Sequence, residues 1–267
     1  MKNSKKRVGI IGIGIVGKAV AAIFPGAFLY DKYKKTGSIE KINKTDIIFI
    51  CVNTPYRKRK GFDLSEVENS LDILTGEKIV VIKSTILPGS TNFLQKKFPQ
   101  HKILFNPEFL RQISAKKDIK NPHEQIIGYT PKSRTVAKKI LKMLPKAKKE
   151  FIVPAEEAEM TKYFSNTFLA VKVIFSNQIF DLCEKTNINY ETVKNMAKSN
   201  PNFNFSHFNV WDSGYRGYGG GCLPKDIKSL IQFGNKKNVD LMLLKTVEKI
   251  NKKLLSGNNP SQPDKIA

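Results

Sequence analysis

The chain has 267 residues, enough for two domains of ordinary size, and its 40% hydrophobic and 10% aromatic content excludes wholesale disorder. Its charge is the outlier: 46 Lys and Arg against 23 Asp and Glu give a net +23. The lysines are spread through nearly every segment, without zinc-finger spacing or an aromatic RNA-binding signature, so they read as a solvated basic surface with no specific nucleic-acid partner.

The basic start MKNSKKR and the apolar stretch from Val8 to Phe24 have the outline of a signal peptide. Glycines and Lys18 interrupt that stretch, and no segment reaches the roughly 20 apolar residues that span a bilayer, so no membrane insertion is expected. Short apolar runs at 8–13, 28–30, 47–52, 79–82, 103–105 and 126–127 alternate with longer mixed segments, which predicts a parallel sheet with helical crossovers.

After Pro154 the texture changes. Residues 155–184 hold no Pro or Gly and repeat apolar residues at three and four, which predicts one long helix. Its apolar positions (Met160, Phe164, Phe168, Leu169, Val171, Phe175 and Ile179) fall on more than one face, so broad burial is expected. A helix over Tyr190–Lys198, a loop over 200–221, a helix starting at Pro224, a helix over 239–255 and a disordered tail over 256–267 follow. The expected fold class is α/β: a Rossmann-type, doubly wound, mostly parallel sheet over 1–153, then an all-helical domain over 154–255.

Gly12, Gly14 and Gly17 form G-x-G-x-x-G, with Ile15 and Val16 inside it, directly after the first apolar run and before the helical-looking KAVAAIF. A tight turn, close phosphate approach and helix packing each require a missing side chain there, so a dinucleotide pyrophosphate is expected on the helix N-terminus. Asp31 ends the next strand and is placed to bind an adenosine ribose, which favours NAD. Lys32, Lys34 and Lys35 blur that preference, because a 2′-phosphate could use them.

Three cysteines, Cys51, Cys183 and Cys222, are odd in number and far apart, which argues against a disulfide framework and suits a reducing compartment, the cytoplasm by default. Cys222 stands out: in GYGGGCLPKD it lies behind three glycines and just ahead of a helix N-terminus, which favours a thiolate. Asp226 follows four residues later, and Lys162 and Asn166 are also four apart, on one face of the long helix. Such a Lys-Asn pair is more often a solvated face than a catalytic one. Cys51 and Cys183 read as plain buried thiols, and His101, His123 and His207 have no spacing that suggests a metal site.

At this point the chain resembles the UDP-glucose/GDP-mannose dehydrogenase family, most of all its UDP-glucose members. The ordered set GIIGIGIVGKAV, VIKSTILPGST, NPEFLRQ, KDIKNP, KYFSNTFLAVK and GGGCLPKD carries the resemblance over residues 7 to about 250. It implies oxidation of a sugar C6 alcohol to the acid in two hydride transfers to NAD. Cys222 would hold the carbon chain as thiohemiacetal and thioester, Lys162 and Asn166 would stabilise the oxyanion, Asp226 with Thr85 would position water, and Glu108 would serve as base. Thr54, Pro55 and Thr85 are further expected cofactor contacts, and Phe109, Leu110, Arg111, Tyr218, Gly219 and Gly220 are expected to border the substrate, beside Glu108, Lys162 and Asn166. By the same resemblance the helical domain, with its long helix, pairs two copies into a homodimer.

Two departures are visible. Gln112 stands where the family closes NPEFLRE with glutamate, which removes a charge near the proposed water. The family also continues into a third, α/β domain that holds the nucleotide, whereas a basic helix and a polar tail follow here, so a companion chain, looser substrate binding or a catalytically impaired NAD-binding remnant are all compatible expectations. Competing readings are a GDP-mannose or UDP-N-acetyl-sugar dehydrogenase, a two-electron β-hydroxyacid dehydrogenase, for which Cys222 would be superfluous, and a polyanion-binding module on an inert fold.

Overall fold

A computed structural model describes residues 7–110, 114–202, 206–211 and 214–256. The predicted tail beyond Ser256, Arg111 and Gln112 lie outside the described residues. The chain divides into two compact units, 1–162 and 163–267.

The first unit is a seven-stranded sheet. In chain order its strands are β1 (Val8–Ile11), β2 (Phe28–Tyr30), β3 (Ile47–Ile50), β6 (Ile79–Ile82), β7 (Lys102–Phe105), β8 (Glu124–Tyr129) and β9 (Lys149–Pro154), with a small hairpin of β4 (Tyr56–Arg57) and β5 (Gly61–Phe62). The spatial order is β2-β1-β3-β6-β7-β8-β9, parallel throughout except for the β7–β8 pair. The central strands are apolar at every position because both faces are covered. Ile10, Phe49 and Val81 point to one core cluster, while Ile11, Ile48, Ile50, Val80 and Ile82 point to the other, the alternation that a strand imposes. Helices α1 (Ile15–Ile23), α2 (Ile39–Asn43), α3 (Ser65–Asp72), α4 (Ser90–Lys97), α5 (Ala115–Lys120) and α6 (Arg134–Met143) supply the crossovers and flanking layers.

Three strands escape the sequence pattern. Strand β9 is exposed at most positions and pairs on one side only, so it lacks the buried apolar run that betrays a strand. The β4–β5 hairpin is only two residues deep on each side.

Helix α7 (Ala155–Lys185) begins in the first unit and continues into the second, where α8 (Tyr190–Lys198), α9 (Leu223–Lys236) and α10 (Met242–Ser256) follow. The second unit's main cluster joins Ala170, Val173 and Ile174 to Tyr218, Ile227 and Val247. Within the single chain α7 is not broadly buried: Phe164 is 70% exposed, Phe168 and Phe175 are each 56% exposed and Met160 is 40% exposed. The physical reason is a shortage of packing partners, since three helices cover only part of a 31-residue helix. Among the described residues no helix is long and apolar enough to cross a membrane.

Candidate active site

A parallel sheet offers a ligand crevice where neighbouring crossovers leave in opposite directions, at the carboxyl ends of its strands. Here β1 is flanked by β2 and β3, and beyond their ends lies a cleft of about 520 Å³ lined by Gly12, Gly14, Asp31, Lys34, Asn53 and Glu66, among others. Gly12 has φ +86, and a Cβ there would come within 2.7 Å of the Cys51 carbonyl. A Cβ on Gly17 would lie 1.9 Å from the Gly12 carbonyl, so this glycine lets α1 pack against the turn. A Cβ on Gly14 would meet nothing within 4 Å, which leaves the approach to α1 open. Helix α1 has neither a side-chain cap nor an acid in its first turn, the one that Ile15, Val16 and Gly17 open. A cleared, uncapped and unneutralised helix end is what a pyrophosphate requires, so these residues fit a dinucleotide.

Asp31 lies beside that end and is more committed than the sequence suggests. Its Oδ2 accepts from the Ile13 amide at 2.7 Å, and its Oδ1 accepts from those of Tyr33 and Lys34 at 3.0 and 2.9 Å. Burial raises its pKa, but these donors outweigh burial and hold the carboxyl below its ordinary value. Three of its four acceptor positions are occupied, leaving one for a ribose hydroxyl. Lys34 donates to the Ile13 carbonyl, so its charge is tied to the turn. Thr54 is buried and donates to the Thr85 carbonyl at 2.6 Å, and the Pro55 carbonyl accepts from Asp63. Asn53, which the sequence reading passed over, is the residue of that stretch that lines the cleft.

A second cavity in this unit, of about 310 Å³, has Lys83, Glu108, Phe109 and Leu110 in its wall. Glu108 folds back on its own segment, its Oε2 accepting from the Leu110 amide at 2.8 Å. Its Oε1 lies 3.3 Å from the Lys162 ammonium, which also donates to the Glu108 carbonyl and stands 5.0 Å from the centre of the Phe109 ring. Lys162 is 5% exposed, so this is a buried ion pair rather than a solvated helix face.

Lys83 was not anticipated. It is buried at the end of β6, donates to Asn106 Oδ1 at 2.6 Å, and burial holds its pKa down to about 8. Asn106 in turn donates to the Ile126 carbonyl at 2.8 Å, which locks the NPEF segment to β8. A lysine directly after four buried apolar residues was the available signal, because such a position continues a strand's inward path. Glu159 was also unforeseen: it accepts from the amides of Gly89 and Thr91 and from the Thr91 hydroxyl at the start of α4, and burial pushes its pKa up to about 7 against those donors.

In the second unit Cys222 is exposed at the N-terminus of α9, and its carbonyl accepts from the Asp226 amide at 2.9 Å. Asp226 is 1% exposed: its Oδ2 accepts from the Asn166 amide at 2.6 Å, and its Oδ1 pairs with Lys225 at 2.5 Å. Asn166 and Asp226, sixty residues apart in the chain, are thus brought together one helical turn from the cysteine. Gly220 has φ +72, and a Cβ added at position 220 or 221 would meet nothing within 4 Å. A Cβ on Gly219 would meet the Tyr215 hydroxyl at 2.3 Å, so this glycine serves packing. Tyr218 sits in the core cluster at 4% exposure, with its ring turned away from solvent. Cys51 and Cys183 are buried, and burial pushes the Cys51 thiol up to about 12.

Comparison with known proteins agrees with this geometry. Residues 26–145 match the NAD binding domain of the UDP-glucose/GDP-mannose dehydrogenase family, and residues 156–253 match its central domain. The UDP-glucose 6-dehydrogenase of Rickettsia prowazekii is 34% identical over 217 residues, 78% of this chain and 49% of that protein. The chain spans about half the length of the curated relatives it matches. Among solved structures, a UDP-glucose dehydrogenase from Pyrobaculum islandicum superposes with a TM-score of 0.82 at 24% identity, covering 95% of this chain and 69% of that one. A GDP-mannose dehydrogenase from Pseudomonas aeruginosa gives 0.64 at 24% identity, covering 93% and 69%. At such identities the two structures support the fold.

Proposed function

Because the chain belongs to the UDP-glucose/GDP-mannose dehydrogenase family and carries its NAD-binding and central domains, we propose that it oxidises the C6 alcohol of UDP-glucose to UDP-glucuronate. Held at the Gly12–Gly17 turn, NAD would supply the hydride acceptor, one molecule for each of the two oxidations. Between them the Cys222 sulfur adds to the aldehyde carbon as its proton leaves, giving a thiohemiacetal whose oxidation yields a thioester. Water then cleaves the thioester, releasing the acid and restoring the thiol. Lys162 offsets the developing oxyanion and Asn166 donates to it, while Thr85 and Asp226 orient the water and Glu108 receives its proton.

The observation that carries this reading is the placement of Cys222. An exposed thiol at a helix N-terminus, with a buried Asn-Asp pair one turn on, suits acyl chemistry and has no task in a single hydride transfer. UDP-glucose is favoured over GDP-mannose or a UDP-N-acetyl sugar by similarity to the curated relatives. An exposed thiol also suits a reducing compartment such as the cytoplasm.

The same reading includes a homodimer. Phe164, Phe168, Phe175 and Leu182 are spaced by four, seven and seven residues, so they form one stripe along α7, and each is more than half exposed. A second copy of the chain would bury that stripe.

Purified protein given NAD and UDP-glucose is expected to form two NADH per sugar, and Cys222→Ser to form at most one. Two NADH per sugar from Cys222→Ser would overturn the thioester route. No NADH with any of the three sugar classes would overturn the activity of this chain.

A further inference from the structure

The loop that delivers Cys222 hangs between two helices. At its start Arg216, 6% exposed, donates to Asn177 Oδ1 and to the Asn177 carbonyl, both at 3.0 Å, and pairs with Asp181 at 2.5 Å, all on α7. Two residues on, the side chain of Asn251 reaches the loop from α10. Its Oδ1 accepts from the Tyr218 amide at 2.7 Å, and its Nδ2 donates to the Tyr218 carbonyl at 2.9 Å. A primary amide therefore makes with Tyr218 both bonds that a neighbouring strand would make. Asn251 is 4% exposed, so neither bond competes with bulk water, and loss of either would strand a buried backbone group.

The loop is shaped to admit this contact. Gly217 has φ +83, and a Cβ there would lie 2.5 Å from Asn251 Oδ1, so only glycine lets the amide approach. Tyr218 then drops its ring into the cluster of Ala170, Val173, Ile227 and Val247. Between that anchored residue and Cys222 stand Gly219, Gly220 and Gly221, whose backbones have the widest conformational choice of any residue. A glycine run of this kind presents its next residue reproducibly only when both ends are held. Helix α9 holds the downstream end.

We infer that Asn251 is a positioning residue for Cys222: its side-chain amide fixes the upstream end of the glycine run and so sets where the thiol stands at the start of α9. The last helix thereby belongs to the cysteine's support and does more than close the helical core. This holds within the second unit whichever substrate the chain takes, and its test needs no substrate.

Alkylation of Cys222 by iodoacetamide, followed by mass spectrometry across a pH series on the full chain, reads the environment of the thiol directly. Cys51 and Cys183 are buried and serve as internal references. Asn251→Asp keeps the shape and the acceptor and removes the donor, and Asn251→Ala removes both. Lys252→Ala, at an exposed position of the same helix, controls for general effects. Both Asn251 variants are expected to move the pH midpoint of Cys222 alkylation or to change its rate at pH 7 by about threefold or more, with Lys252→Ala unchanged. If Asn251→Ala does not fold, Asn251→Asp carries the test alone. A lower melting temperature with the midpoint and rate of Cys222 unmoved would overturn the inference and leave Asn251 a purely structural residue. Absence of NADH formation, by contrast, would count against the proposed reaction and leave the labelling result intact.

Discussion

The two units solve the same problem, burying apolar surface, with different completeness. In the first, every central strand is covered on both faces, and the large side chains Phe49, Phe105 and Ile82 are fully buried. In the second, three short helices support part of α7 and leave an aromatic stripe in solvent, while polar residues such as Asn177, Arg216, Asp226 and Asn251 lie buried and hydrogen-bonded. The first unit fills its interior with apolar packing and leaves its candidate cofactor cleft beyond the carboxyl ends of its strands. The second holds the loop that carries Cys222 with directional polar contacts, which fix position better than apolar packing does.

The sharpest way to break this contrast is at Gly17. Gly17→Val places carbon within 1.9 Å of the Gly12 carbonyl, which neither backbone can yield. A loss of about 4 kcal/mol or more in the stability of the first unit is expected, with NAD binding abolished. Calorimetry with and without NAD checks it, and retention of NAD affinity would show that α1 is not packed as described.

The exposed stripe gives the next largest effect. Phe168→Asp puts a charge in the middle of it and is expected to weaken self-association by about 100-fold, roughly 3 kcal/mol, with little change in NAD affinity. Light scattering over a dilution series measures this, and a parent chain that is monomeric at all concentrations would refute the dimer.

The smallest effect is a dependence of stability on pH. Glu159 titrates near 7 in the fold, above its ordinary 4.5, so the folded state holds a proton that the unfolded chain has released, and this contribution falls as pH rises from 4.5 to 7. Lys83 titrates near 8, below its ordinary 10.5, so between 8 and 10.5 the unfolded chain binds the extra proton and stability recovers as pH rises. The two together predict a trough between pH 7 and 8, with each wall at most about 3 kcal/mol high. Urea unfolding of Glu159→Gln should lack the acid wall and that of Lys83→Met the alkaline one. Walls that persist in both variants would assign the trough to other groups.

Most of the first unit was legible in the sequence because its signals are local. A buried parallel strand must be apolar at consecutive positions, and a phosphate turn must lack side chains at fixed offsets, so β1, β2, β3, β6 and the Gly12–Gly17 turn could be placed from spacing alone. Strand β9 could not, because an edge strand need not be apolar. Helix α7 was visible from its periodicity to within one residue, α8 was placed at its observed bounds, and Pro224 marked the start of α9.

What only the tertiary structure decided are the contacts between residues distant in the chain. Sequence alone singled out Glu108, Lys162, Asn166, Asp226 and Cys222 as chemically able residues. It could not say that Glu108 pairs with Lys162, that Asn166 bonds Asp226, that Asp31 spends three acceptor positions on its own turn, or that Asn251 holds Tyr218. Nor could it tell which apolar positions of α7 would find partners, since periodicity records a face and not what covers it. Backbone preference and hydrophobic period act over a few residues and are written in consecutive letters. Hydrogen-bond partnership and the cost of burying a charge depend on three-dimensional neighbours, which come into being only when the chain is folded.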